Sequence, residues 1–233
     1  MGPVSEELRR VGTGLRLVFL GLVVVILNVV AAIAVAVAFL RPGRDPSAMI
    51  SAISRDHPTA VMVLLGLWVL SNVLAITGKV YCLSVPATSG ATPMILMAVA
   101  CSGIGLALNV VGQSAELGTA VAEFAGTSPV FTIAGYLFFV RFLRRLALFL
   151  GSTRLMARTR MLQVGSVGLM VVYLVAALGQ SSGIFGAATV LVALILAVGG
   201  LILFGLYFLL IHEIRRTTEG AAEYMVGRED GTE

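Results

Sequence analysis

Between Leu137 and Met161 the chain reads LFFVRFLRRLALFLGSTRLMARTRM, with six arginines, no acidic residue and apolar runs on either side. No other stretch constrains the fold as much. Apolar runs of this length suit a lipid environment. A basic cluster between two such runs marks the cytoplasmic side of a membrane. Once that side is fixed, the topology of the remaining chain follows.

Composition supports the same reading. Charged residues make up 12% of the 233-residue chain and hydrophobic ones 58%, where a soluble domain carries roughly 25% charged residues. Twenty-six glycines among the Ala, Val and Leu suit close helix packing in a bilayer. The net charge of +4 does not point to nucleic acid, because the arginines gather at span ends and serve topology there. Cys82 and Cys101 show neither metal-ligand nor redox-pair spacing and read as small packing residues.

Taken in order, residues 1–16 read as a polar cytoplasmic head, with Glu6 four residues before Arg10. Gly2 does not make a myristoylation site, since Pro3 follows it and Glu6 stands where Ser or Thr is needed. Leu17–Leu40 is a first span, longer than the apolar core of a cleaved signal peptide. Arg41–Thr59 is an outer loop, in which Asp45-Pro46 starts a short surface helix bearing Met49, Ile50 and Ile53. Ala60–Thr77 is span two, continuing to about Leu83, and Pro93–Val111 is span three. A second surface helix is expected in 112–128, where Leu117, Val121 and Phe124 share a face. Ser128-Pro129 caps span four, which runs to Leu150. Gly151 fits a left-handed helix end and Ser152 caps the next helix at once, so spans four and five form a tight hairpin. Met161–Leu178 and Ala187–Ile211 are spans five and six, and 212–233 is a charged tail. The predicted fold is therefore all-α: a polytopic bundle of six transmembrane helices over 17–211, with surface helices in the outer loops.

Six spans place both termini on one side. With that side cytoplasmic, thirteen of the sixteen basic residues lie inside, leaving only Arg41, Arg44 and Arg55 outside. This is a strong positive-inside bias and predicts a cytoplasmic (inner) membrane protein. The likeness of Phe138–Arg145 to Leu209–Arg216 has the same origin, since each inward-going helix ends in basic residues.

Few residues suggest chemistry. No Asp, Glu, Lys or His falls at mid-span in the sequence, which argues against an ion-driven carrier. Arg141 lies about 18 Å along the helix from Pro129, against a hydrocarbon core of about 30 Å. It must therefore snorkel or meet a partner. Arg141, Arg144 and Arg145 share a helix face, with Phe138, Phe142 and Leu146 opposite. This predicts a fork for an anionic lipid headgroup or an acidic partner, with Arg154 and Arg158 adding to the basic inner face. Asn28 and Asn72, near the centres of spans one and two, are expected to hydrogen-bond and hold those helices together. The other reading of them is a polar path with Asn109 and Gln113. Gly179–Gly183 matches G-x-S-x-G but joins two apolar helices, where a nucleophile elbow needs a strand. No catalytic, cofactor or metal motif is present in the sequence.

The segments GKVYCLSVP (Gly78–Pro86) and FFVRFLRRLALFLGSTRLMAR (Phe138–Arg158) resemble a group of uncharacterised bacterial multi-pass inner-membrane proteins without an assigned activity. The resemblance implies a membrane bundle and transfers no functional residue. The leading expectation is a structural or accessory membrane protein that uses a basic cytoplasmic face on anionic lipid, a second copy or a partner membrane protein. A small-solute channel or carrier lacking intramembrane charges is the alternative. An outer-face hydrolase is a remote third.

Overall fold

The computed structural model describes residues 3–39, 55, 57–113, 127–181 and 188–230. Among these the structure is all helical. Six helices follow one another: α1 (Pro3–Phe39), α2 (Pro58–Tyr81), α3 (Thr92–Gln113), α4 (Ser128–Phe149), α5 (Thr153–Ser181) and α6 (Ala188–Asp230). Two short 3-10 turns, Cys82–Ser84 and Ala87–Ser89, join α2 to α3. Both expected surface helices, and Ser182 and Gly183 of the G-x-S-x-G match, lie outside the described residues.

Four helices contain stretches long and apolar enough to cross a membrane: Val4–Val35, Pro58–Ser84, Thr92–Gly112 and Val198–Met225. Their outer surfaces agree with that character. Leu27, Val30, Ile33 and Val37 of α1 and Met62, Val63 and Val69 of α2 are exposed, an apolar surface that a water-soluble monomer rarely carries. α4 matches α3 in length but has three arginines in its second half.

Two helix pairs are stitched by small residues. In the antiparallel α1–α2 pair, a Cβ on Gly14 would come within 2.5 Å of the Gly78 carbonyl oxygen, and one on Gly21 within 3.0 Å of the Ser71 oxygen. In the α3–α4 pair, a Cβ on Gly135 would meet Ser102 Oγ at 2.7 Å, and one on Gly105 would meet Thr132 Oγ1 at 2.9 Å. Backbones this close need glycine, and close backbone approach is how helices associate where lipid removes the hydrophobic drive.

The sequence boundaries shift at both ends. Residues 3–16 of the head are the first turns of α1, which begins at Pro3, and Leu8, Val11 and Leu15 there are fully buried. The tail likewise continues α6, and Ile214 and Thr218 in it are fully buried. The two extensions meet each other. Just inside them the Phe19 and Phe208 rings meet tilted at 4.5 Å between centroids, and the guanidinium of Arg215, in the α6 extension, sits 5.4 Å over the Phe19 ring. Gly12 lies against Glu219. Charged residues on the outer faces give these segments a polar composition, while an apolar stripe on each packs inward.

The core gathers at this same end of the bundle. Val11, Leu15, Cys82, Ile95, Phe139, Phe142, Leu146, Leu155 and Ile211 all belong to it. α4 therefore turns Phe142 and Leu146 into protein, where the sequence reading had set them as a greasy face beside the headgroups. The hairpin after α4 closes as expected. Gly151 takes φ +69°, the Ser152 amide donates to the Ala147 carbonyl at 3.1 Å and the Gly151 amide to Leu148 at 3.0 Å. This is the paired hydrogen-bond pattern of a glycine-ended helix. Ser152 then accepts from the Leu155 amide at 3.4 Å to start α5.

Candidate functional site

The hairpin brings basic residues from several helices to the core end of the bundle, and they divide into two groups. Arg154 and Arg158, one turn apart on α5, both reach Glu213 of α6. Arg158 Nη1 donates to Glu213 Oε2, and Arg154 Nε lies 3.7 Å from Oε1. These two arginines hold the α6 extension against α5. They belong to the basic inner face of the sequence reading, beside the fork rather than in it, and their carboxylate partner is Glu213.

Arg141, Arg144 and Arg145 form the other group. With Met94 of α3 and Leu148 they line one groove of about 480 Å³. All three are exposed, and none has a carboxylate partner among the described residues. Their placement follows from helix periodicity: positions 139, 142, 143 and 146 point to the core, so 141, 144, 145 and 148 point out. Three guanidinium groups in one groove supply an array of donors matched in geometry to phosphate oxygens. The same side of α4 continues along its axis with Leu137 and Ile133, at successive steps of four residues. These two line an apolar groove of about 440 Å³ between α4, α5 and α6, shared with Leu169, Met170 and Leu203. A surface that is cationic at one end and apolar one turn further along matches an amphiphile with an anionic head.

The expected clasp between Asn28 and Asn72 is not formed. Gly14 faces Gly78 and Gly21 faces Ser71, so paired positions sum to 92. Asn72 thus stands level with Leu20, about 12 Å from the level of Asn28. Asn72 donates instead to the Trp68 carbonyl of its own helix at 2.8 Å. Asn28 Oδ1 is buried with no hydrogen-bond partner among the described residues. Between α3 and α4 a polar clasp does form: Asn109 Nδ2 donates to Ser128 Oγ at 2.9 Å, and Ser128 Oγ donates to the Gly105 carbonyl at 2.9 Å. Ser128 is therefore a clasp rather than the helix cap expected from Ser128-Pro129.

Sequence reasoning missed Lys79. By position it is one of the thirteen basic residues on the inner side, near the end of span two. In the structure its side chain runs back into the bundle, where Nζ donates to Ser102 Oγ at 2.7 Å and lies 5.4 Å over the Phe139 ring. Side chains on a helix lean toward its N-terminus, which here means away from the basic end. That lean was the available signal. Cys82 and Cys101 are both buried, as packing residues would be. Among the described residues no cluster of His, Cys, Asp or Glu has the makings of a metal site.

Comparison with protein-family models, with curated proteins and with solved structures finds no match to this chain.

Proposed function

We propose that this chain is an accessory integral membrane protein that crosses the cytoplasmic membrane six times and holds an anionic phospholipid of the inner leaflet. α4 and α5 supply the two crossings beyond the four apolar helices. An even crossing number is supported by the packing of the first turns of α1 against α6 near Glu219, which favours the start of α1 and the end of α6 lying on one side. That side also carries the basic hairpin, so it faces the cytoplasm.

The observation that carries the lipid reading is the groove of Arg141, Arg144 and Arg145, with no carboxylate to satisfy it among the described residues. The phosphate binds there through paired guanidinium hydrogen bonds, and an acyl chain lies along Leu137 and Ile133 in the adjoining apolar groove. Each basic residue near an anionic leaflet contributes about 1 kcal/mol of attraction. Arginine adds bidentate geometry that lysine lacks.

Native mass spectrometry of the protein purified in mild detergent tests this. The parent retains anionic phospholipid. Changing Arg141, Arg144 and Arg145 together to Lys keeps the charge and loses most of the bound lipid. Changing all three to Gln abolishes retention. Equal lipid on the Lys variant and the parent refutes the fork and leaves the arginines as topology signals.

A further inference from the structure

Between the two stitched helix pairs lies a second cavity, of about 210 Å³, whose lining includes Lys79, Ser102, Asn72, Asn109, Trp68 and Leu106. Its floor is formed by Lys79 and Ser102. Ser102 is near the middle of α3, about 15 Å along the helix from its start at Thr92. The Lys79 ammonium thus sits at the depth of mid-span although its Cα is near a helix end. An ionisable group at that depth is costly and marks a functional site unless it is paired. No carboxylate pairs with Lys79 among the described residues.

The hydrogen bonds define what is missing. An ammonium has three donors. One goes to Ser102 Oγ and the Phe139 face receives part of the charge. Ser102 accepts from Lys79, which leaves its own proton to donate. Asn72 and Asn109 each use one amide hydrogen, on Trp68 and Ser128, and keep the other. The floor therefore presents three free donors, two on Lys79 and one on Ser102, around one positive charge, while the amides of Asn72 and Asn109, about 10 Å further along α2 and α3, each offer a donor and an acceptor. Trp68 and Leu106 give the remaining wall an apolar surface. The cavity is larger than a halide needs, and one cation does not balance a divalent anion.

We infer that this cavity is a binding site for a short-chain monocarboxylate, with its carboxylate on Lys79 and Ser102 and its alkyl end against Trp68 and Leu106. The site is separate from the arginine groove and does not depend on the lipid reading. Tyr136 lines both this cavity and the apolar groove, and it is held by Ser166 at 3.1 Å between hydroxyl oxygens.

The test is equilibrium binding of radiolabelled propionate to the purified full-length protein at neutral pH. Saturable binding is expected, displaced by unlabelled acetate but not by propionamide, which is isosteric and uncharged. Lys79→Met weakens binding by at least about tenfold, the usual scale for loss of a charge-assisted hydrogen bond. Ser102→Ala weakens it by a smaller factor and serves where the lysine variant does not fold. The triple change of Arg141, Arg144 and Arg145 to Gln leaves binding intact. Absence of saturable binding overturns the inference. So does equal displacement by propionamide, or displacement by chloride as effective as by acetate, or unchanged binding in the Ser102 and Lys79 variants.

Discussion

Glu213 receives two arginines, and the exposure of its partners decides what that is worth. Arg154 is 73% exposed and Arg158 44%, while Glu213 is 29% exposed. Solvent screens pairs of this kind, so Glu213→Gln should lower stability by about 1 kcal/mol or less. The difference should shrink in high salt, which thermal unfolding of both proteins at two salt concentrations measures. At this scale the sequence was legible where one helix decides the outcome. Arg141, Arg144 and Arg145 share a face because of helical periodicity alone, and the structure keeps them together. Residues whose partners lie on other helices were not legible. Asn28 and Asn72 both sit at mid-span by counting, yet the α1–α2 register separates them by about two turns. Lys79 sits at a span end by counting, yet its long side chain carries the charge back to Ser102 in the middle of α3. Glu213 falls in the charged tail by counting and pairs with α5. Register and side-chain direction set these contacts, and neither appears in a single segment.

Among the elements, the α1–α2 pair depends most visibly on individual side chains. Gly78 lies against the Gly14 carbonyl oxygen at 2.5 Å and Val18 at 2.7 Å, with reference to an added Cβ. Gly66, on the same helix, has nothing within 4 Å of that position. Gly78→Ala must push α1 away from α2 and should destabilise the protein by about 1–3 kcal/mol, the range for overpacking. Gly66→Ala should be neutral or stabilising, because alanine is the better helix former. Unfolding of the two variants in the same detergent compares them directly, and equal effects would show that the pair is not held by backbone contact. The glycine content of the sequence indicated close packing but not which glycines pack. Helix ends were clearer. Gly151 and Ser152 were readable because a left-handed residue followed by a hydroxyl is a local signal. The boundaries of the head and tail were less readable, since their polar composition hid the buried Leu8, Val11 and Leu15 of the one and Ile214 of the other.

At the scale of the whole molecule, the first turns of α1, the α6 segment around Glu213, the α2–α3 turn and the α4–α5 hairpin share one end of the bundle, and the protein core lies there too. Cys82 of the turn contacts the Val11 carbonyl, Arg158 contacts Glu213, and Phe139, Phe142 and Ile211 meet in the core. Away from this end the helices expose apolar side chains. A basic end with a protein core and an opposite half clothed in Val, Leu and Ile suits a bundle embedded from one leaflet to the other. The arginine groove then has a defined leaflet to work in, and the proposed function rests on which leaflet that is. Cysteines introduced singly at Ser47, Ser152 and Thr217, followed by labelling of intact cells with a membrane-impermeant thiol reagent, test this most directly. The account predicts labelling from outside at Ser47 alone. Outside labelling at Ser152 would place the arginines on the opposite leaflet and contradict it.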